Sequence, residues 1–450
     1  MPKTFHVAAV LSVVLALLTG CSQAELPKAV SPSPRSSSPQ LAVSKVNSTT
    51  KLVTPGNDNT PLNIVPPINP EPATNAKVQQ YISELAAKQF AKNNQGVWIQ
   101  SGRTLLANYQ GTNPLPAASI TKVATTLVAL QTWGPKHQFV TLIKATGPVS
   151  KGVLHGDLVI QGGEDPFFVW EDAIALGNTL NQMGIERVDG NLAVMGKFYM
   201  NYHSDPLIAG NLLRLGLNAQ IWPKEAQTQY LTLTKGTPQP QVVIAGSVQT
   251  ITSPSKMLPL VLHLSLPLTE ILKQMNLYSN NVMAEMLANS VGGAKVVAQK
   301  AAKAAAVPAA EIQLKNGSGA IENRISPRAA CAMFIAIENY LKPRQMSIAD
   351  VFAISRQDLG ILKDRPLPPL SVVKTGTVRN ISAVAGAMPT QRQGSVWFAI
   401  MNIGDDKKEL EAQQDTLLQS LLSQWGSAKL PTLTSSLEEN SQTARNQILH

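Results

Sequence analysis

The chain has 450 residues, 44% hydrophobic and 15% charged, which supports buried cores over two or three domains and excludes a disordered or fibrous chain. A net charge of +10 without a long basic run or an aromatic repeat argues against nucleic-acid binding and suits contact with anionic envelope polymers. Six histidines at no metal-ligand spacing and only two cysteines, Cys21 and Cys331, argue against a metal centre and a disulfide framework.

The chain opens with a positively charged segment, MPKTFH, and a twelve-residue apolar run, VAAVLSVVLALL, too short to span a bilayer. LTGC follows, ending at Cys21. The pattern resembles a bacterial lipoprotein signal (residues 1–20), after whose removal Cys21 carries the lipid. An ordinary secretory signal that happens to contain a cysteine is the alternative. Residues 21–74 are rich in Pro, Ser, Thr and Asn without apolar periodicity and read as a disordered tether. Its r.m.s. reach is roughly 40 Å. The expected location is therefore the periplasm or cell envelope, with a lipid anchor in a membrane.

Residues 76–93 place Val78, Ile82, Leu85 and Phe90 near one helical face. GVWIQSGRTLLANYQ reads as a hairpin turning at Ser101-Gly102, and a helix is expected from about Ser119 to Trp133, stopped by Gly134-Pro135. GVLHGDLVIQGGEDPFF reads as a second hairpin-like pair, EDAIALGNTLNQMGI as a helix and RVDGNLAVMG as a strand. The stretch 200–262 mixes short apolar runs with Gly and Pro. Four helices then cluster: PLTEILKQMNLY, NVMAEMLANSVGG, KVVAQKAAKAAAV and RAACAMFIAIENYL, the last holding Cys331 as a core residue. Three strands, PLSVVKTGTV, ISAVAGAM and GSVWFAIMNI, precede a closing helix, and residues 429–450 read as a loose tail. This order is an α+β pattern.

Three short motifs carry chemistry. Ser-x-x-Lys recurs along the chain, at Ser48, Ser119 and Ser253 among other places, but only the copy at Ser119 opens a strong apolar helix. There Lys122 lies one turn from Ser119, so its amine can reach the hydroxyl, and burial would lower its pKa enough for it to accept the serine proton. The alternative is an N-cap serine beside a snorkelling lysine. YSNN supplies Ser279 and Asn281, the only Ser-x-Asn in the chain, able to relay a proton and hold an amide; a plain N-cap is the alternative. VVKTGTV supplies the only Lys-Thr-Gly, with Lys374 able to bind a carboxylate and Gly376 marking a close approach; an edge lysine guarding against aggregation is the alternative.

Taken in this order, the motifs resemble the active site of penicillin-binding proteins and serine β-lactamases. The gap of 160 residues from Ser119 to Ser279 is too long for a class A β-lactamase. It resembles the low-molecular-mass class C penicillin-binding proteins, the D-Ala-D-Ala carboxypeptidase/endopeptidase family S13. GDLVIQGGEDPFF, MNLYSNNVMAEML, LKNGSGAIENRISP, AVAGAM and WFAIMN resemble further stretches of that family.

The resemblance implies a DD-peptidase-like antiparallel sheet flanked by helices, with a helical cluster and an inserted small domain. The catalytic domain would span residues 75–145 and 263–428, with the insert at 146–262. Ser119 would be the nucleophile and Lys122 its base, Ser279 would pass a proton to the leaving amine, and Asn281 would hold the peptide. Lys374, Thr375 and Thr377 would bind the terminal carboxylate, and the backbone amides of Ser119 and Thr377 would form the oxyanion hole. Water would free the acyl-enzyme without metal or cofactor. The implied partners are peptidoglycan stem peptides and, as covalent inhibitors, β-lactam antibiotics. Three features depart from the family pattern: Glu164 where glycine is expected before Asp-Pro, a shorter insert, and the lipid anchor. Two rival readings share the fold. A β-lactamase would need a glutamate such as Glu285, Glu311 or Glu322 to activate water, and an inactive envelope-binding lipoprotein would need none of the chemistry.

Overall fold

A computed structural model describes residues 62–253, 256–358, 360–428 and 445–449; the signal segment, Cys21 and the tether before Leu62 lie outside them. A six-stranded antiparallel sheet runs in the spatial order Ala353–Ile354, Val372–Val378, Ile381–Thr390, Gly394–Ile403, Gln95–Ser101, Thr104–Tyr109. Every residue of Ile381–Thr390 is buried, because helices cover both faces and successive side chains alternate between them. Ala383, Ala385 and Ala387 face a core shared with helices Thr121–Trp133 and Pro327–Leu341, where Cys331 is fully buried. Val384 and Met388 face a second core with helices Pro72–Ala87 and Lys407–Trp425.

The first helix starts earlier than the apolar periodicity predicts. Glu71 caps it through Ala73 and Thr74, with Pro72 in the first turn where its missing N–H costs nothing. It ends at Ala87, so Phe90 lies beyond it, yet still packs on the second core. The tether expectation also runs too far. Leu62 exchanges two hydrogen bonds with Asn339 (3.1 and 2.6 Å), and Val65 is buried in the first core. Bonds to a distant helix leave no periodic signature in the local sequence.

Five strands between Val140 and Leu264 and one from residues 446–448 build a second six-stranded sheet in the order Val248–Thr250, Leu192–Lys197, Leu158–Gly163, Val140–Ala145, Leu258–Leu264, Asn446–Ile448. Its first three strands are parallel, since helices Trp170–Gln182 and Pro206–Gly216 supply the crossovers. The sheet and these helices share their own core around Ile160, Phe168, Ile174, Leu192 and Leu213. Two local expectations change here. Val153–Leu154 pairs with Val149–Ser150 and Arg187–Val188 rather than forming a hairpin with Leu158–Gly163. Within the expected tail, Asn446–Ile448 adds an edge strand against Val261–His263.

The Gly-to-Glu departure has a local account. Glu164 adopts a left-handed φ of 68°, a conformation that favours glycine, and its carboxylate pairs with Lys197 at 2.5 Å.

Candidate active site

Ser119 sits in a 3-10 turn, Ala118–Ile120, immediately before the helix Thr121–Trp133 rather than inside it. No side chain caps that helix, so the Ser119 hydroxyl is not used as an N-cap. It faces Lys122 instead, with Nζ 2.9 Å from Oγ. Residues 121–130 of the helix are all buried, and Lys122 has no exposed surface, which excludes a snorkelling role. Burial pulls its pKa down to about 7, against an opposing pull from Glu285.

The Lys122 amine has two further partners, Asn281 Oδ1 and the Ser318 carbonyl oxygen, each at 2.7 Å. Both are pure acceptors. When Lys122 is neutral, its two N–H groups serve these acceptors and its lone pair is left toward Ser119, whose hydroxyl is the one partner able to donate. The geometry thus prepares the serine proton for transfer.

The second motif separates into two jobs. Asn280, rather than Ser279, caps helix Asn281–Ser290 by accepting from the Met283 N–H at 3.0 Å. Ser279 holds a left-handed φ of 53° and accepts a 3.1 Å hydrogen bond from Lys374 Nζ. Asn281, the first helical residue, points its oxygen at Lys122.

Lys374, Thr375, Gly376 and Thr377 lie on the strand Val372–Val378. Lys374 is buried, and both desolvation and the nearby Lys122 hold its pKa well below the ordinary lysine value. Its Nζ also donates to the Thr375 carbonyl at 2.7 Å. A methyl group on Gly376 would stand 2.8 Å from the Ala117 carbonyl and 3.0 Å from the Ser119 nitrogen, so glycine permits the strand to lie against the Ser119 turn. Thr375 is buried, whereas Thr377 is exposed and donates its hydroxyl to Glu411 Oε1 at 3.0 Å, a partner absent from the motif.

The structure therefore gathers the motif residues into two hydrogen-bonded groups, Ser119 and Asn281 on Lys122 and Ser279 on Lys374, with Gly376 against the Ser119 turn. It adds the loop Asn316–Gly319. Gly319, at φ 129°, lies so close to Ala118 that a Cβ would meet its carbonyl oxygen at 2.4 Å. Buried Asn323 ties the loop to the helix, donating to Thr121 Oγ1 (3.0 Å) and to the Asn316 carbonyl (3.1 Å). The string Asn-Gly-Ser-Gly was visible in the sequence, but Ser318 acts through its main chain, which has no residue-type signature.

Of the glutamates weighed as water activators, Glu311 is engaged with Arg328 and Ser326, and Glu322 is exposed. Glu285 accepts from the Gly317 N–H at 3.1 Å.

Residues 76–205 and 208–423 match the family model described as the D-Ala-D-Ala carboxypeptidase 3 (S13) family. The chain belongs to that family, and is accordingly a hydrolase of the serine D-Ala-D-Ala carboxypeptidase class. Its fold is similar to that of a penicillin G-acylated predatory endopeptidase from Bdellovibrio bacteriovorus in complex with an immunity protein. That likeness has a TM-score of 0.67 at 21% identity and covers 79% of this chain and 99% of the other. Penicillin-binding protein 4 from Haemophilus influenzae is similar at a TM-score of 0.56 and 19% identity, over 77% of this chain and 99% of that one. Among the described residues no helix is long and apolar enough to cross a membrane.

Proposed function

We propose that this member of the D-Ala-D-Ala carboxypeptidase 3 (S13) family removes the terminal D-alanine of peptidoglycan stem peptides through an acyl-enzyme on Ser119. The observation that carries this reading is the Lys122 amine, fully buried, brought to about 7 and 2.9 Å from the Ser119 oxygen. A base poised near neutral pH loses little as protonated enzyme and still takes the proton readily.

Ser119 Oγ attacks the carbonyl carbon of the D-Ala–D-Ala bond while its proton passes to Lys122 Nζ. The developing oxyanion is received by the backbone N–H groups of Ser119 and Thr377. As the C–N bond breaks, Lys122 gives up the proton it took from Ser119, and the leaving amine receives one through the hydroxyl of Ser279, which Lys374 holds in place. Lys374, Thr375 and Thr377 receive the terminal carboxylate, and Asn281 holds the peptide while fixing Lys122. Water then attacks the ester and frees Ser119. A β-lactam enters the same sequence and stays as a penicilloyl ester. Cys21 carries a lipid that tethers the enzyme to a membrane of the cell envelope, a reading supported by the LTGC pattern after the short apolar run.

The test is intact-protein mass after incubation with benzylpenicillin, with peptide mapping, beside D-alanine release from a D-Ala-D-Ala-terminated stem peptide. A stable adduct on Ser119 with D-alanine release is expected, both lost in Ser119→Ala. A persistent adduct in Ser119→Ala would overturn the assignment, and rapid penicillin turnover would make the protein a β-lactamase. Mass analysis of the mature N-terminus tests the lipid on Cys21.

A further inference from the structure

We infer that Glu285 is a positioning residue of this site: it sets the basicity of Lys122 and holds the loop whose Ser318 carbonyl fixes the Lys122 amine. The inference rests on the reading of Lys122 as the base. Four observations lead to it.

Glu285 lies one helical turn beyond Asn281 on Asn281–Ser290, so the two side chains share the helix face turned to Lys122. One carboxylate oxygen accepts from the Gly317 N–H at 3.1 Å, next to Ser318. Gly317 is further held by Thr125, whose hydroxyl donates to its carbonyl at 2.7 Å from the same helix as Lys122. The other carboxylate oxygen is buried with no hydrogen-bond partner in the protein. A buried carboxylate oxygen left unpaired is costly, and its charge acts over short range with little screening.

The charged groups that bear on the Lys122 amine are few. Lys374, on the strand Val372–Val378, is a buried lysine whose own pKa Lys122 depresses. Among the described residues, Glu285 is the acidic group that opposes the desolvation of Lys122. Burial alone would push the amine further down and make it a weaker proton acceptor; the Glu285 charge favours the ammonium form and keeps the base strong enough to draw the serine proton. The same side chain thus joins helix 281–290 to the loop and sets the chemistry of a lysine on a third element.

The experiment is the second-order rate of Ser119 acylation by benzylpenicillin between pH 5 and 9, in wild type, Glu285→Gln and Glu285→Ala. Wild type should show an acid limb as Lys122 deprotonates. Without the negative charge the ammonium is less stable, so the Lys122 pKa falls and the limb moves to lower pH. Glutamine keeps an oxygen for the Gly317 N–H, so its limb should move with a nearly intact plateau. At a pH well below the limb, its rate relative to plateau should exceed wild type by about threefold or more, a shift of about half a unit. Alanine should move the limb and also lower the plateau, because the loop is released. Either variant that folds decides the matter. A limb that stays at the wild-type position, with only the plateau reduced, would make Glu285 a structural residue and overturn the inference. Absence of an acid limb in wild type would instead defeat the assignment of Lys122 as base, whatever Glu285 does.

Discussion

Lys122 Nζ stands 2.7 Å from Asn281 Oδ1, although 159 positions separate the two residues in the chain. The contact joins the helix Thr121–Trp133 to the second motif, and it aims the amine: with Asn281 and Ser318 both accepting, the remaining valence of a neutral Lys122 points to Ser119.

Placing a charge at that contact should reset the base. In Asn281→Asp a carboxylate would lie beside the Lys122 amine, favour its protonated form and raise its pKa, so the acid limb of acylation should move to higher pH. A shift of about one unit or more is expected for an opposite charge at such range. Acylation by benzylpenicillin against pH measures it, and a limb moving down would contradict the assigned geometry.

Lys122→Arg should abolish rather than shift that limb. A guanidinium keeps its proton across the accessible range, so no neutral base forms at any pH. Acylation should fall on the order of 10²- to 10⁴-fold and stay low up to pH 9. Near-normal acylation at high pH in this variant would mean that another group takes the serine proton.

Gly376→Ala should damage the chemistry more than the fold. The new methyl would meet the Ala117 carbonyl and the Ser119 and Ile120 nitrogens at 2.8 to 3.1 Å, forcing the strand off the nucleophile turn. A displacement approaching 1 Å costs on the order of a hundredfold in rate. Acylation and thermal melting measured side by side should give a large loss of the first with a modest change in the second.

Arg445→Ala should destabilise the inserted sheet. Arg445 pairs with Asp172, whose side chain is 1% exposed, and the following Asn446 meets His263 Nδ1 at 2.7 Å. Removing Arg445 leaves Asp172 buried without its cation, a loss of about 3–5 kcal/mol. Chemical denaturation should register the loss, and protease cleavage should reach the edge strand Asn446–Ile448 sooner. A cut pattern and midpoint equal to wild type would show that this pair contributes nothing to holding the segment.

The two six-stranded sheets differ in how much local sequence announced them. The strands Ile381–Thr390 and Gly394–Ile403 were legible because continuous apolar runs bounded by turn residues have few other uses. The four clustered helices were legible from their periodicity. The second sheet was not: its parallel strands pair across helices 170–182 and 206–216, and its edge is closed by the distant segment Asn446–Ile448 against Val261–His263, so nothing local records the pairing.

The sequence by itself determined which residues could do the chemistry. A serine one turn before a lysine in an apolar helix, a lone Ser-x-Asn and a lone Lys-Thr-Gly are side-chain facts, and side chains are what a sequence records. Only the tertiary structure decided which partner each of them meets. It divided the second motif, giving Ser279 to Lys374 and Asn281 to Lys122, and handed the helix cap to Asn280. It also supplied the Ser318 carbonyl and the half-buried Glu285 carboxylate. The reason is physical. The basicity of a lysine depends on its desolvation and on the charges around it, and the direction of its lone pair depends on which acceptors take its protons. Here those acceptors and charges come from elements far apart in the chain.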